Sequence, residues 1–220
     1  KKAFAASAGD KAVHDYLRDR IALALLKPAG GGWMEGTEGK TADIFLTAMN
    51  SESQETIDFL LANGLDPNQP ISGGYALLAS AMEDKKWDLA AELLGKGADP
   101  NRKDKSGYTP LMSAAYRHNT EKAAFLLDHG ADLESTLFDG VTPLQMASVN
   151  GDAPMIELLL KRGANKDFIN QRNHQSPLDS AIVSNKPEAV ALLRAAGAKS
   201  NDPGALCRAV AEKDVELAGY

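Results

Sequence analysis

The chain has 220 residues, a formal net charge of −6, 44% hydrophobic residues and only 6% aromatic residues. The acidic balance disfavours nucleic acid and anionic membranes as main partners, because both are bound through clustered Lys and Arg. The single cysteine, Cys207, excludes an intramolecular disulfide and any multi-cysteine metal site, and no apolar run approaches the ~20 residues of a membrane-spanning helix.

The first segment, residues 9–27, predicts one amphipathic helix that Pro28 ends. We interpret it as a cap over the exposed end of a stack, with a partner-binding arm as the alternative. The chain begins on Lys1 rather than Met, and its first residues imitate a cleavage site without the apolar region before it. A removed signal peptide is one explanation, so the compartment stays open between the cytoplasm and the periplasm or exterior.

Residues 28–41 form a glycine-rich loop. Gly39-Lys40-Thr41 ends like a phosphate-binding loop, but Met34 stands where that motif needs glycine. No apolar strand precedes the loop either, so nucleotide binding is not expected. Trp33, in the same loop, either packs against the cap or serves as an interface anchor.

From about residue 38 onward the chain repeats. Gly64, Gly97, Gly130, Gly163 and Gly197 stand 33, 33, 33 and 34 residues apart. Thr-Pro-Leu at 109–111 returns at 142–144 and as Ser-Pro-Leu at 176–178, and paired leucines precede four of the glycines. A fixed period of this length indicates a solenoid of stacked units.

Within a unit the residues predict two short helices. Thr109 is a good N-cap and Pro110 suits the first helical position, where its missing N–H costs nothing. A polar break at His118-Asn119 separates the helices, and Gly130 can take the left-handed conformation that closes the second one.

The repeated motifs resemble those of the ankyrin repeat. Gly107-Tyr108-Thr109-Pro110-Leu111-Met112-Ser113-Ala114-Ala115 and Leu93-Leu94-Gly95-Lys96-Gly97-Ala98-Asp99-Pro100-Asn101 carry the resemblance, which covers roughly residues 38–217. It implies an all-α fold, an ankyrin-repeat solenoid of stacked helix–turn–helix units with turn or hairpin tips. The expected organisation is an N-terminal capping helix and Gly-rich loop (1–37), five repeats (38–70, 71–103, 104–136, 137–169 and 170–202) and a C-terminal capping half-repeat (203–220).

Some copies depart from the pattern. The first two repeats lack Thr-Pro-Leu, and Arg194 replaces the second leucine of the fifth repeat. The fifth repeat also has one extra residue between Gly163 and Ser176, and His174 replaces its turn glycine. Histidine is among the residues that tolerate positive φ. Residues 203–220 suggest a capping helix in which Cys207 packs.

No catalytic constellation is present in the sequence. The four histidines form no i, i+4 pair and no HExxH motif, and there is no G-x-S-x-G. Asp66, Asp99 and Asp132 recur at one repeat position, which favours local hydrogen bonding in the turn over paired catalytic carboxylates. We therefore expect no enzyme activity, no catalytic residues, no cofactor and no metal site.

The resemblance implies that a partner binds in a concave groove formed by the repeat tips and the first helices. Residues that the repeat does not demand are then the candidates for partner binding: Tyr75, Lys105, Ser106, Tyr108, Tyr116, Arg117, Phe138, Val141, Asn150 and Arg172. The four aromatic residues would run along the groove with the arginines beside them, as in many interfaces. The alternative is that each aromatic ring packs on its neighbouring tip.

We interpret the protein as a non-catalytic protein-binding module, monomeric alone, without nucleic-acid binding or membrane insertion. Its acidic net charge suggests a basic protein partner. Three alternatives stay open: an inhibitor or immunity-type protein that blocks an enzyme or toxin, a regulatory or targeting subunit of an enzyme, and a small-molecule enzyme using Trp33 and the glycine-rich loop.

Overall fold

The computed structural model describes residues 61–62, 66–68, 77–202 and 204, and these ranges contain eight helices and no strand. The predicted all-α class is therefore confirmed. The predicted N-terminal helix, the loop with Trp33, Tyr75 and Cys207 lie outside the described residues. The chain divides into two compact units, Lys1–Ala98 and Asp99–Tyr220, called unit 1 and unit 2 below.

The helices come in pairs, each with a first helix of 7 or 8 residues and a second helix of 9. Unit 1 contains α1 (Leu77–Glu83) and α2 (Trp87–Gly95). Unit 2 contains α3 (Pro110–Tyr116), α4 (Thr120–Asp128), α5 (Pro143–Asn150), α6 (Ala153–Lys161), α7 (Pro177–Val183) and α8 (Pro187–Ala195). The four pairs fall within the predicted second to fifth repeats, while the count of five repeats and their boundaries stay predictions.

The first helices of unit 2 begin as the sequence predicts. The Thr109 hydroxyl accepts a hydrogen bond from the Met112 N–H at 3.2 Å, and a proline follows each cap. Thr142 with Gln145, and Ser176 with Asp179, form complete capping boxes. Each cap satisfies N–H groups that the first turn of a helix leaves without a partner.

The core of unit 2 lies between a layer of first helices and a layer of second helices. In the first layer α5 packs against both α3 and α7, and in the second α6 packs against both α4 and α8. Leu111 and Leu126 are fully buried, as are the small side chains of Ala114 and Ala115 that let the helices approach. Burying a leucine contributes about 1.5–3 kcal/mol, so the repeated leucines are the main source of stability.

The extra residue of the fifth repeat lies inside its tip turn. Gly107 N–H donates to the Asp104 carbonyl, and Gly140 N–H donates to the Leu137 carbonyl. Each of these hydrogen bonds joins residues that are three positions apart. In the fifth repeat the His174 N–H reaches the Asn170 carbonyl at 2.8 Å, which closes a turn one residue longer. His174 takes the positive φ (57°) that the sequence predicted at the glycine position.

The recurring aspartates hydrogen-bond within their own turns, which confirms that prediction. Asp66, Asp99 and Asp132 each accept from the backbone N–H two residues later, at 2.8–2.9 Å. In two of these turns, the side chain of the residue that donates this N–H accepts a hydrogen bond from the following turn. Asn101 and Glu134 accept from the next turn's Asp132 N–H and Asn165 N–H, both at 2.7 Å. These bonds tie successive turns of unit 2 into a continuous ladder.

Candidate protein-binding surface

Nine of the ten predicted partner-binding residues lie in unit 2, and Tyr75 lies outside the described residues. The nine fall in two places: the tip turns (residues 104–108, 137–141 and 170–175) and the C-terminal ends of α3 and α5. We call them, together with Val149 and Val183 introduced below, the candidate surface. Its members are Lys105, Ser106, Tyr108, Tyr116, Arg117, Phe138, Val141, Val149, Asn150, Arg172 and Val183.

Hydrogen bonds within the chain fix the tip turn of the third repeat. One Asp104 carboxylate oxygen accepts from the Ser106 N–H at 2.8 Å and from the Tyr108 N–H at 2.9 Å. The Asp104 N–H donates to the Tyr108 carbonyl at 2.9 Å, which closes the turn from the other side. Lys105 and Ser106 at the apex are exposed. The turn therefore presents them on a backbone that is already ordered.

Tyr108 and Tyr116 lie together. Their ring centroids are 6.0 Å apart with an interplanar angle of 66°, an edge-to-face contact. Tyr108 is half-buried, whereas Tyr116, the last residue of α3, is 59% exposed. The contact restricts both rings, and Tyr116 keeps most of its surface exposed.

The Phe138 ring packs on the neighbouring tip and is also largely exposed. Its ring covers Gly107 of the preceding tip so closely that a Cβ on that glycine would lie 2.6 Å from Phe138 Cε2. The aromatic side chain therefore packs on its neighbouring tip, as the alternative reading held. It is nevertheless 77% exposed, so most of the ring remains available for an interface.

The structure shows a row of exposed apolar residues at the ends of the first helices. Tyr116, Val149 and Val183 occupy this position in α3, α5 and α7, and they are 59%, 44% and 52% exposed. Their spacing of 33 and 34 residues is the repeat period. The same spacing places Val149 and Val183 at the first-helix ends that line the expected groove, although neither was among the ten predicted binding residues.

The other predicted residues differ in accessibility. Arg117 and Arg172 are exposed, whereas Val141 and Asn150 are half-buried. The Arg172 N–H donates to Asn170 Oδ1 at 2.8 Å, and the Val141 N–H donates to Asp139 Oδ1 at 3.2 Å. The backbone N–H groups therefore hold both residues in their turns, and the Arg172 side chain takes no part in these two hydrogen bonds.

The described residues hold no group of three or more His, Cys, Asp or Glu side chains placed to bind a metal ion. His118 Nδ1–H donates to Asp152 Oδ2 at 2.8 Å, and His129 Nδ1 lies 2.8 Å from the Phe125 carbonyl oxygen, so both histidines have structural partners. None of the helices in residues 77–202 has the length and hydrophobicity that crossing a membrane requires.

Pairs of short helices packed in two layers, with ordered turns beside them, define a helical repeat protein. A family model described as ankyrin repeats (three copies) matches residues 44–137 and 133–203. The match covers well over half of the chain, so the protein belongs to the ankyrin-repeat family. Ankyrin repeats are generally protein–protein interaction modules, and the family is generally non-catalytic. A comparison with curated proteins gave no match.

Proposed function

We propose that the protein is a non-catalytic binding module that holds a protein partner on the candidate surface of unit 2. The observation that carries the proposal is the set of exposed large apolar side chains. In the described ranges these are Tyr116, Phe138, Val149 and Val183. The first two were predicted from the sequence, and the two valines repeat the position of Tyr116 in α5 and α7. Clustered exposed apolar residues mark interaction sites more often than scattered ones do.

The order of the surface before binding supports the proposal. The Asp104 carboxylate fixes the third tip, the Asn170 side chain fixes the fifth, and the two tyrosine rings restrict each other. A surface ordered in advance loses little conformational entropy when a partner binds. Tyrosine and arginine, which dominate interface energetics, are both present at the end of α3 as Tyr116 and Arg117.

The more specific versions of this function need the same surface. An inhibitor would cover an enzyme's active site with it, and a regulatory or targeting subunit would hold its enzyme through it. Both stay predictions until a partner is known.

Site-specific photo-crosslinking tests the proposal. A photo-reactive amino acid is placed at position 116 or position 149, and separately at position 121 or 157 as matched controls. Glu121 and Glu157 are exposed residues of the second helices α4 and α6. The purified chains are irradiated in an extract of the source cells, and crosslinked proteins are identified by mass spectrometry.

We expect one protein to be crosslinked from positions 116 and 149 and not from positions 121 and 157, because only the first two positions lie on the candidate surface. Crosslinks of equal yield from all four positions, or from the second helices alone, would overturn the proposal. Each labelled chain should keep the circular dichroism spectrum of the unmodified protein.

A further inference from the structure

We infer that the partner presents an acidic segment that also carries apolar side chains. The inference rests on the proposed function, because it assumes that binding takes place on the candidate surface. It concerns a property that the net charge of the chain conceals, namely the local charge of that surface.

Cationic side chains outnumber carboxylates at the tips and first-helix ends of unit 2. Lys105, Arg117 and Arg172 lie there, with Lys103 directly before the third tip, against Asp104 and Asp139. Both carboxylates accept hydrogen bonds from backbone N–H groups of their own turns, at 2.8–3.2 Å. Lys103 Nζ donates to the uncharged Thr136 carbonyl at 2.6 Å, so its charge stays uncompensated by that contact.

Apart from these six residues, carboxylates outnumber Lys and Arg within residues 99–202 by eleven to eight. Exposed carboxylates sit on the second helices, at Glu121, Asp128, Glu157 and Glu188, and in the turn ladder, at Asp132. Asp128 is paired with Arg162 at 2.9 Å. A partner docked on the candidate surface meets more Lys and Arg than Asp and Glu, so the local charge favours an acidic partner over the basic one that the net charge suggested. Charge complementarity of this kind sets specificity and association rate.

The apolar part of the surface argues for a protein rather than a nucleic acid. Val149 and Val183 offer aliphatic contacts that fit apolar side chains, and the edge-to-face pair of Tyr108 and Tyr116 leaves no stacked array for successive bases. A few spread cations also fall short of the clustered Lys and Arg that track a phosphate backbone.

Selection from a phage-displayed library of random peptides tests the inference on the intact chain. The wild type is compared with the charge-reversed variant Lys105→Glu/Arg117→Glu/Arg172→Glu. A control variant, Lys96→Glu/Lys161→Glu/Lys199→Glu, changes the net charge equally at exposed positions outside the candidate surface. The variant Tyr108→Ala/Tyr116→Ala reports whether the selected peptides occupy the surface, and thermal unfolding checks that all variants fold.

We expect the wild type and the control to select acidic peptides with Leu, Ile or aromatic residues, and the charge-reversed variant to lose that preference. A peptide selected on the wild type should bind the charge-reversed variant about tenfold or more weakly at low salt, with the difference shrinking as salt increases.

Three results would count against the account, and they differ in what they overturn. Neutral or basic selected peptides that still require Tyr108 and Tyr116 would overturn the charge inference and leave the proposed function standing. Peptides that bind the tyrosine variant as tightly as the wild type would overturn the proposed function itself. A single-stranded oligonucleotide that binds as tightly as the selected peptides at the same salt would assign the surface to nucleic acid.

Discussion

Asp179 is the most buried carboxylate of the described residues, with no exposed surface. Its Oδ2 accepts from the Ser176 N–H and hydroxyl at 2.9 and 2.8 Å and from the Asn201 N–H at 2.9 Å, while Oδ1 accepts from the Ser200 hydroxyl. The side chain therefore caps α7 and also holds the turn that follows α8. Burying a carboxylate is tolerated because every oxygen is hydrogen-bonded.

Replacing Asp179 with alanine should lower the free energy of unfolding by about 3 kcal/mol, because it leaves several buried donors without an acceptor. Urea denaturation followed by circular dichroism measures the change. The exposed residue Glu188 provides the control, and Glu188→Ala should change stability by less than about 0.5 kcal/mol. An Asp179→Ala variant as stable as this control would show that the hydrogen-bonded carboxylate contributes nothing.

Asp167 is a residue whose stability contribution should depend on pH. The Lys166 ammonium at 2.6 Å, and then the hydrogen bond from the Lys199 N–H at 2.8 Å, hold its pKa below the ordinary value of 3.8. A lowered folded-state pKa means that the contribution is complete above pH 3.8 and is lost as the pH falls through the folded-state pKa.

Asp167→Asn keeps an acceptor for Lys199 and removes the charge, so it isolates this effect. The stability difference from wild type should be under about 1 kcal/mol near neutral pH, because the pair is partly exposed, and it should vanish in acid. Urea denaturation at a series of pH values measures it. Lys166→Met should remove most of the same pH dependence. A difference that grows in acid would contradict the assignment.

At the scale of single residues, the hydrogen bonds within a turn were easier to predict from the sequence than the solvent exposure of side chains. The repeated aspartates were assigned to their own turns because a short carboxylate reaches the N–H two residues on. Glu134 occupies the position that Asn101 has in the preceding turn. Its hydrogen bond to the Asn165 N–H could not be predicted, because it depends on where the fold places the two turns. The exposure of Val149 and Val183 likewise depends on how α5 and α7 pack.

At the scale of elements, the turn between α3 and α4 connects neighbouring helix pairs. Asp152 caps α6 by accepting from the Met155 N–H at 3.1 Å, and it accepts from His118 Nδ1–H at 2.8 Å. His118 reaches it from the preceding pair, at a residue with φ of 56°. Asn119 provides the comparison. Its side chain caps α4 by accepting from the Lys122 N–H at 2.9 Å, a bond that stays within one helix pair.

Asp152→Ala should therefore destabilise the protein more than Asn119→Ala, by up to about 1 kcal/mol beyond the roughly 1 kcal/mol expected for a lost cap. The excess should disappear when both substitutions are compared in a His118→Ala background. A double-mutant cycle from urea denaturation measures this coupling. Equal costs in the wild-type background would show that the histidine contact adds no stability.

The elements themselves were largely predictable. Thr109-Pro110 and Thr142-Pro143 specify helix starts through a side-chain acceptor and a fixed φ, both of which are local properties. The extra residue of the fifth repeat could be located only to the segment between Gly163 and Ser176. Its position inside the turn from Asn170 to His174 depends on which carbonyl the His174 N–H reaches, and several neighbouring carbonyls are compatible with the sequence.

At the scale of the whole molecule, the net charge of −6 does not describe the candidate surface. Residues 1–98 account for most of this value, with 10 Lys and Arg against 14 Asp and Glu, whereas residues 99–202 have 12 against 13. A partner contacts only part of this distribution, so the sign of the sum carries little information about the contact. Assigning the charges to faces required the packing of the first and second helices into separate layers.

The exposed side chains of the candidate surface are separate from the residues that build the core. The leucine and alanine positions of each helix pair build the core, whereas Tyr116 is 59% exposed and projects from the end of α3. Removing exposed side chains should leave the core intact, since large stability losses come from buried groups. The candidate surface can therefore be altered without unfolding the protein.

The most direct test of the proposed surface is the dissociation constant of a crosslink-identified partner for Tyr108→Ala/Tyr116→Ala, measured by titration calorimetry beside Glu121→Ala/Glu157→Ala. We expect the dissociation constant to rise at least about tenfold for the tyrosine variant, because aromatic residues at interface centres carry much of the binding energy. The glutamate variant should bind like the wild type. An unchanged dissociation constant for a folded tyrosine variant would contradict the account.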